Sequence, residues 1–199
     1  MRKIFSLALI ILCAAAVQAQ KSKPYFSGLK VGVNLYTLDK KVAPGVSKDM
    51  KINMHGGIFY HIPITSLFSI QPEVMYSAEG MNYKQSEEEI KTTLHYLNIP
   101  LMFQVNTSSG FYGETGPQLG ILIQGKSKTT ANNTETVQSL RTLLKKTAFS
   151  WGIGAGFHKG SYGASARYNY GISNLAVDDT QPDSKSSGFQ VSLSYWIQQ

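Results

Sequence analysis

The sequence predicts an all-β fold, an eight-stranded antiparallel up-and-down transmembrane β-barrel. Three observations predict it: an export leader at the N-terminus, eight runs that alternate with period two, and connections that are short and long by turns.

The leader comes first. Arg2 and Lys3 form a short positive segment, and Ile4 to Val17 is an apolar run too short to cross a bilayer as a helix. Val17-Gln18-Ala19 places small residues where a signal peptidase reads them, so residues 1–19 are a secretory signal peptide and residues 20–199 the mature barrel domain. Cys13 lies inside the leader behind Leu12, which does not suit lipidation. Cleavage would leave no cysteine, and with it no disulfide, thiolate metal site or cysteine nucleophile. The formal charge of +7 includes Arg2 and Lys3, so the mature chain carries +5. Its basic residues are spread out, which argues against a nucleic-acid partner and suits an anionic membrane surface.

The eight runs follow in order. Leu29, Val31, Val33 and Leu35 oppose Lys30, Gly32, Asn34 and Tyr36 in the first (about 29–37). In the second (about 52–62), Ile52, Met54, Ile58, Tyr60 and Ile62 oppose Asn53, His55, Gly57, Phe59 and His61. Phe68, Ile70, Val74 and Tyr76 oppose Ser69, Gln71, Glu73, Met75 and Ser77 in the third (68–82). The fourth (about 93–105) sets Leu97, Ile99, Leu101, Phe103 and Val105 against Tyr96, Asn98, Met102 and Gln104. In the fifth (111–124), Leu119, Ile121 and Ile123 oppose Glu114, Gly116, Gln118 and Gly120. Phe149, Trp151, Ile153, Ala155 and Phe157 oppose serine, glycines and His158 in the sixth (148–158). The seventh (162–173) sets Ala164, Ala166, Tyr168, Tyr170 and Ile172 against Gly163, Ser165, Arg167 and Asn169. The eighth (188–197) sets Phe189, Val191, Leu193, Tyr195 and Ile197 against Gln190, Ser192, Ser194 and Trp196. Pro72, Pro100 and Pro117 fall inside runs, where each removes a ladder donor and weakens its strand or marks a bulge.

Residues 63–67, 106–110 and 159–161 read as short turns, and about 38–51, 83–92, 125–147 and 174–187 as long polar loops. Bacterial barrels have short periplasmic turns and long outer loops. The alternation therefore places both termini and three turns in the periplasm and four loops outside. A soluble lipocalin-like ligand-binding barrel shares the strand count but would bury the apolar face. Here the opposite face carries Lys30, Glu73, Glu114 and Arg167, four charges that suit an interior salt-bridge cluster in a narrow lumen.

Five motifs carry a family resemblance: Gly28-Leu29-Lys30-Val31-Gly32-Val33-Asn34, Ile70-Gln71-Pro72-Glu73-Val74-Met75-Tyr76, Tyr96-Leu97-Asn98-Ile99-Pro100-Leu101, Gly113-Glu114-Thr115-Gly116-Pro117 and Arg167-Tyr168-Asn169-Tyr170-Gly171. In this order, over nearly the whole mature chain, they resemble the PorT-like outer-membrane barrels of Bacteroidetes. The resemblance implies a small outer-membrane barrel. It does not carry the protein-secretion role linked to the founding member, since no residue here is diagnostic of it. The C-terminus departs from many such barrels, which end on an aromatic residue, whereas this chain ends Tyr195-Trp196-Ile197-Gln198-Gln199.

Few residues suggest chemistry. His55, His61 and His158 fall on the polar face, but two neighbouring histidines without a third ligand read as lumen or rim residues rather than a metal site. A lipid-modifying barrel enzyme would need a nucleophile and a base at the outer rim. Ser77 and Ser173 lie high on their strands, with only His95, on the apolar face, nearby. In the third long loop, Asn132 and Glu135 resemble a helix cap, and Val137, Leu140, Leu143 and Leu144 recur at helical spacing with Arg141 beside them. They predict a short interaction helix, either free to meet a partner or the anionic lipid surface, or folded over the barrel mouth.

The leading expectation is a non-enzymatic integral outer-membrane protein that acts through its extracellular loops or by stabilising the envelope. It would work as a monomer in outer-membrane lipid, with a protein partner at the loops, no nucleic acid and no cofactor. The lipid-modifying enzyme and the soluble barrel are the alternatives.

Overall fold

The computed structural model describes residues 25–38, 47–85, 88–131, 134–140, 144–175 and 185–198. The expected leader lies outside the described residues. The strands are β1 (Phe26–Leu38), β2 (Ser47–Pro63), β3 (Phe68–Gln85), β4 (Glu88–Asn106), β5 (Phe111–Ala131), β6 (Thr134–Ser139), β7 (Thr147–Lys159), β8 (Tyr162–Gly171) and β9 (Ser186–Gln198). Eight of them pair antiparallel in chain order, and β9 closes on β1 from Phe26 opposite Gln198 to Leu38 opposite Ser186. The chain is a closed eight-stranded barrel, and β6 is a short extra strand beside the outer end of β5.

Side-chain parity sets the polarity of the wall. On the outward face Ile58, Val31 and Leu193 are more than half exposed, at 57%, 57% and 65%. Lys30 and Glu73, on the inward face, are exposed by 3% and 2%. A soluble barrel would reverse these numbers, so the apolar face is a lipid face. Aromatic rings gather towards its ends. Tyr25 stacks on Tyr60, Phe111 packs on Phe157 and Tyr162 on Tyr195 near the short turns, while Tyr76 stacks on His95 towards the far end. Such rings suit the two membrane–water interfaces.

The three prolines do not shift the register. The β3–β4 ladder keeps one register from Pro72 opposite Leu101 to Met75 opposite Asn98, and the β4–β5 ladder from Pro100 opposite Gln118 to Phe103 opposite Thr115. The irregularities lie elsewhere, between Met50 and His55 in β2 and at His95/Tyr96 in β4. At the second, His95 pairs Gln124 and Tyr96 pairs Leu122, which leaves Ile123 as an extra residue in β5.

The short turns are as tight as their lengths require. Residues 160–161 link Lys159 to Tyr162, its partner across the hairpin, with Gly160 at a φ of +60° that side chains resist. Gly110 ends its turn at a φ of +96°.

The outer end departs from expectation. Much of the expected polar loops at 38–51, 83–92 and 125–147 is paired strand. β3 and β4 stay paired out to Gln85 opposite Glu88, and β2 pairs β3 from Ser47 opposite Lys84. β5 runs on to Ala131 and folds back through β6, with Lys126 opposite Ser139. The expected helix is not formed at its start, because Val137 stands in β6 opposite Lys128. The alternating Thr134, Thr136 and Gln138 with Val137 suit a ladder, since β-branched residues lose rotamer freedom in a helix. The Leu144 N–H donates to the Leu140 carbonyl at 3.1 Å. Arg141 and Leu143 lie outside the described residues.

Candidate functional site

The lumen is a stack of side-chain layers, which the inward parity of every strand delivers. At the periplasmic end Trp196 of β9 forms a cork. His158 stacks on its indole at 4.6 Å between ring centres, with Phe59 at 4.9 Å and His61 at 5.1 Å, both edge-on. His61 and His158 thus meet across an indole. Among the described residues no group of three histidines, cysteines or acids is placed to hold a metal.

Above the cork lie Lys30 of β1, Glu73 of β3, Glu114 of β5 and Arg167 of β8. The Lys30 ammonium donates to Glu73 Oε1 at 2.6 Å. Arg167 donates through Nη2 to Glu73 Oε1 at 2.9 Å, through Nη1 to Oε2 at 3.1 Å, and through Nε to Glu114 Oε1 at 2.7 Å. The fork matches the planar carboxylate, a geometry lysine lacks. Two neutral amides complete the carboxylates: Gln71 donates to Glu73 at 2.8 Å and Gln104 to Glu114 at 3.1 Å. Two bases and two acids balance, so the layer crosses the lumen with no net charge. Such an arrangement suits the interior of a narrow barrel, which side chains fill.

The next layer is neutral. His55 shares hydrogen bonds with Asn34 at 2.6 Å and Ser192 at 2.8 Å, and Asn34 donates to Ser77 at 2.8 Å. Asn169 donates to the Tyr36 hydroxyl at 2.8 Å and to Gln190 at 2.9 Å. Ser77 is therefore inside the barrel and bonded to an amide. His95 is on the outer face, paired with the Tyr76 hydroxyl at 2.7 Å. Ser173 contacts the Phe149 backbone, accepting from its N–H at 2.7 Å. The wall separates Ser77 from His95, so these two form no nucleophile–base pair.

Higher still, Glu79 of β3 lies beside Asn98, Gln118, Ser150 and Ser186 around a small cavity. Leu94, Tyr96 and Leu122 close the lumen above, with Leu140, Leu144 and Ala148 packed against them. Main-chain bonds hold this cap in place, from Leu122 N–H to the Lys146 carbonyl and from Lys145 N–H to the Leu175 carbonyl, both 2.8 Å. Leu140 and Leu144 thus face the barrel mouth rather than a free partner surface. Sequence reasoning missed Glu79 as a lumen residue, although it shares the parity of Glu73 and Ser77. It also missed the partner amides Gln71 and Gln104 as members of the charged layer.

No curated protein matches the chain by sequence. Among solved structures, the Ail attachment invasion locus protein of Yersinia pestis is similar. Its complex with the heparin analogue sucrose octasulfate gives a TM-score of 0.53 at 13% identity, covering 88% of this chain and 100% of that one. A second Ail structure gives 0.51 at 15% identity with the same coverage. At these identities the likeness is one of fold. The model of the outer membrane protein β-barrel domain matches residues 18–177. With a lipid-facing wall, a plugged polar lumen and that match over most of its length, the chain belongs to the outer membrane protein β-barrel domain family and is an integral protein of the outer membrane.

Proposed function

We propose that this barrel is non-enzymatic and non-conducting, and that it serves the envelope as a monomer through its extracellular end. The observation that carries the reading is the filled lumen: an aromatic cork, a neutral ion cluster and a leucine cap lie one above the other. What remains available is the sheet extension above the lipid band. It is basic on its outward side, where Lys91 opposes Lys128 and Thr93 opposes Lys126, and Lys128 pairs with Glu135 at 2.7 Å. Among the described residues β6 ends the sheet order, and it bears exposed Val137, so that edge suits a protein partner that adds a strand. Outer-leaflet phosphates suit the lysines, and their neutralisation is the envelope-stabilising form of the same reading.

Within the family we assign the chain to the PorT-like branch. The five motifs support this by falling on β1, β3, β4, β5 and β8, with three of them contributing Lys30, Glu73 and Glu114 to the ion cluster and a fourth Arg167.

Planar-bilayer recording of the refolded mature protein tests the reading, together with incubation of the protein with envelope phospholipids. Silent bilayers and unchanged lipids are expected. Reproducible unitary conductance or acyl-chain transfer would overturn it.

A further inference from the structure

Three prolines stand on neighbouring strands of the wall, and each interrupts a ladder. The β2–β3 pairs stop at Phe59 opposite Glu73 and resume at Ile62 opposite Ile70, beside Pro72. The β3–β4 pairs skip from Pro72 opposite Leu101 to Met75 opposite Asn98, beside Pro100. The β4–β5 pairs skip from Pro100 opposite Gln118 to Phe103 opposite Thr115, beside Pro117. In the other five seams the described pairs follow without a gap. Each proline gap is two pairs wide, which is what one missing donor removes from an antiparallel ladder. Proline has no N–H, so the carbonyl facing it loses its ladder donor. By register these carbonyls are Tyr60 for Pro72, Glu73 for Pro100 and Leu101 for Pro117.

Two of these carbonyls belong to residues that line one groove. It lies on the outer face, holds about 460 Å³ and is bordered by Leu29, Ile58, Tyr60, Pro72, Val74 and Ile99. Glu73 also lines it, through its main chain, since its side chain is buried in the lumen. The groove belongs to the lipid face, so lipid covers it. Tyr60 fixes its lower end, because the ring stacks on Tyr25 at 5.9 Å and such rings sit at the membrane–water boundary. A chain would therefore lie against Ile58, Leu29, Val74 and Ile99, with the head of the lipid at the level of Tyr60. An ester-linked chain brings only acceptors to that level. It leaves the two carbonyls unmet, which is costly in hydrocarbon. A lipid with an amide N–H or a hydroxyl at the head of its chain brings donors. We propose that the groove is a site for one such donor-bearing lipid of the periplasmic leaflet. Its chain fills the apolar length, and its N–H or O–H replaces the donors that Pro72 and Pro100 withhold from Tyr60 and Glu73.

The experiment uses the full mature barrel refolded in detergent and given equal amounts of phosphatidylcholine and sphingomyelin with matched chains. Both carry a phosphocholine head, and only sphingomyelin has an amide N–H and a hydroxyl beside its chains. Native mass spectrometry counts the lipid retained. One sphingomyelin per barrel should be retained over phosphatidylcholine by about fivefold or more, the worth of about one net hydrogen bond. Pro72→Ala combined with Pro100→Ala restores both N–H groups and should bring the ratio close to one in a folded barrel. Val74→Trp, on the lipid face, should fill the groove and cut retention of both lipids. Equal retention in the unaltered barrel would mean ordinary boundary lipid and would overturn the site. So would an unchanged ratio in the double proline variant, or a lipid-free dimer, which would put a second copy in the groove. Should the double variant fail to fold, Val74→Trp decides, and full retention of sphingomyelin by it counts against the site.

Discussion

Glu73 accepts from a lysine, an arginine and a glutamine at once, and every one of these donors is buried. Replacing it by glutamine keeps the volume but leaves Lys30 without its partner and Arg167 with Glu114 alone. Breaking a buried ion pair by removing one member typically costs about 3–5 kcal/mol. The Glu73→Gln variant should therefore lose roughly 10 °C in thermal midpoint. Glu114→Gln should lose distinctly less, because Arg167 retains its two-point contact with Glu73. Circular dichroism melts of the two variants in the same detergent check the order, and equal losses would show that the forked contact contributes nothing beyond charge. Packing at this scale also explains two glycines. A Cβ at Gly28 would meet the Phe59 ring at 2.4 Å, and one at Gly156 would meet the Tyr112 ring at 2.4 Å, so each glycine leaves room for a lumen aromatic against the wall.

At the scale of the element, the outer cap is held by Leu140 and Leu144 on the Leu94–Tyr96–Leu122 cluster. Serine at both positions should loosen the cap without unfolding the barrel. Amide exchange at Leu122 and Leu140, whose N–H groups bond to the Lys146 and Gly125 carbonyls, should quicken at least tenfold, equivalent to about 1.4 kcal/mol of local stability. Val137→Ser, on an exposed side chain, should leave both rates unchanged. Unaltered exchange in the double variant would mean that the leucines hold nothing shut.

The same elements show where the sequence is legible. Inside the bilayer one face meets lipid and the other a polar lumen, so parity appears as strict alternation, and Lys30, Glu73, Glu114 and Arg167 fall on one side by counting alone. Beyond the bilayer both faces meet water. Alternation then fades while pairing continues, so residues 83–92 read as loop although most are strand. The bulge at Ile123 shifts parity by one residue, and a single chain gives no signal for it. Leucines four apart at 140 and 144 fit a turn over a cap as well as a helix, and spacing does not separate the two.

The whole molecule is an inverted globule. Its mean hydropathy is −0.14, and no helix among the described residues is long and apolar enough to cross a membrane. The apolar area is instead spread over alternate residues of eight strands, which a running average dilutes. The chain's two tryptophans stand on opposite sides of this wall. Trp151 is 43% exposed on the outer face, its ring nitrogen donating to Thr115 at 2.8 Å, while Trp196 is the cork, 5% exposed and stacked on His158. In liposomes containing brominated acyl chains, the emission of Trp151 should be quenched and that of Trp196 should persist. The Trp151→Phe variant should then be indifferent to bromine, whereas quenching of the remaining indole would show that the cork faces lipid. Native fluorescence alone would report, from one ring, whether the wall has reached the hydrocarbon and, from the other, whether the last strand has sealed the bore.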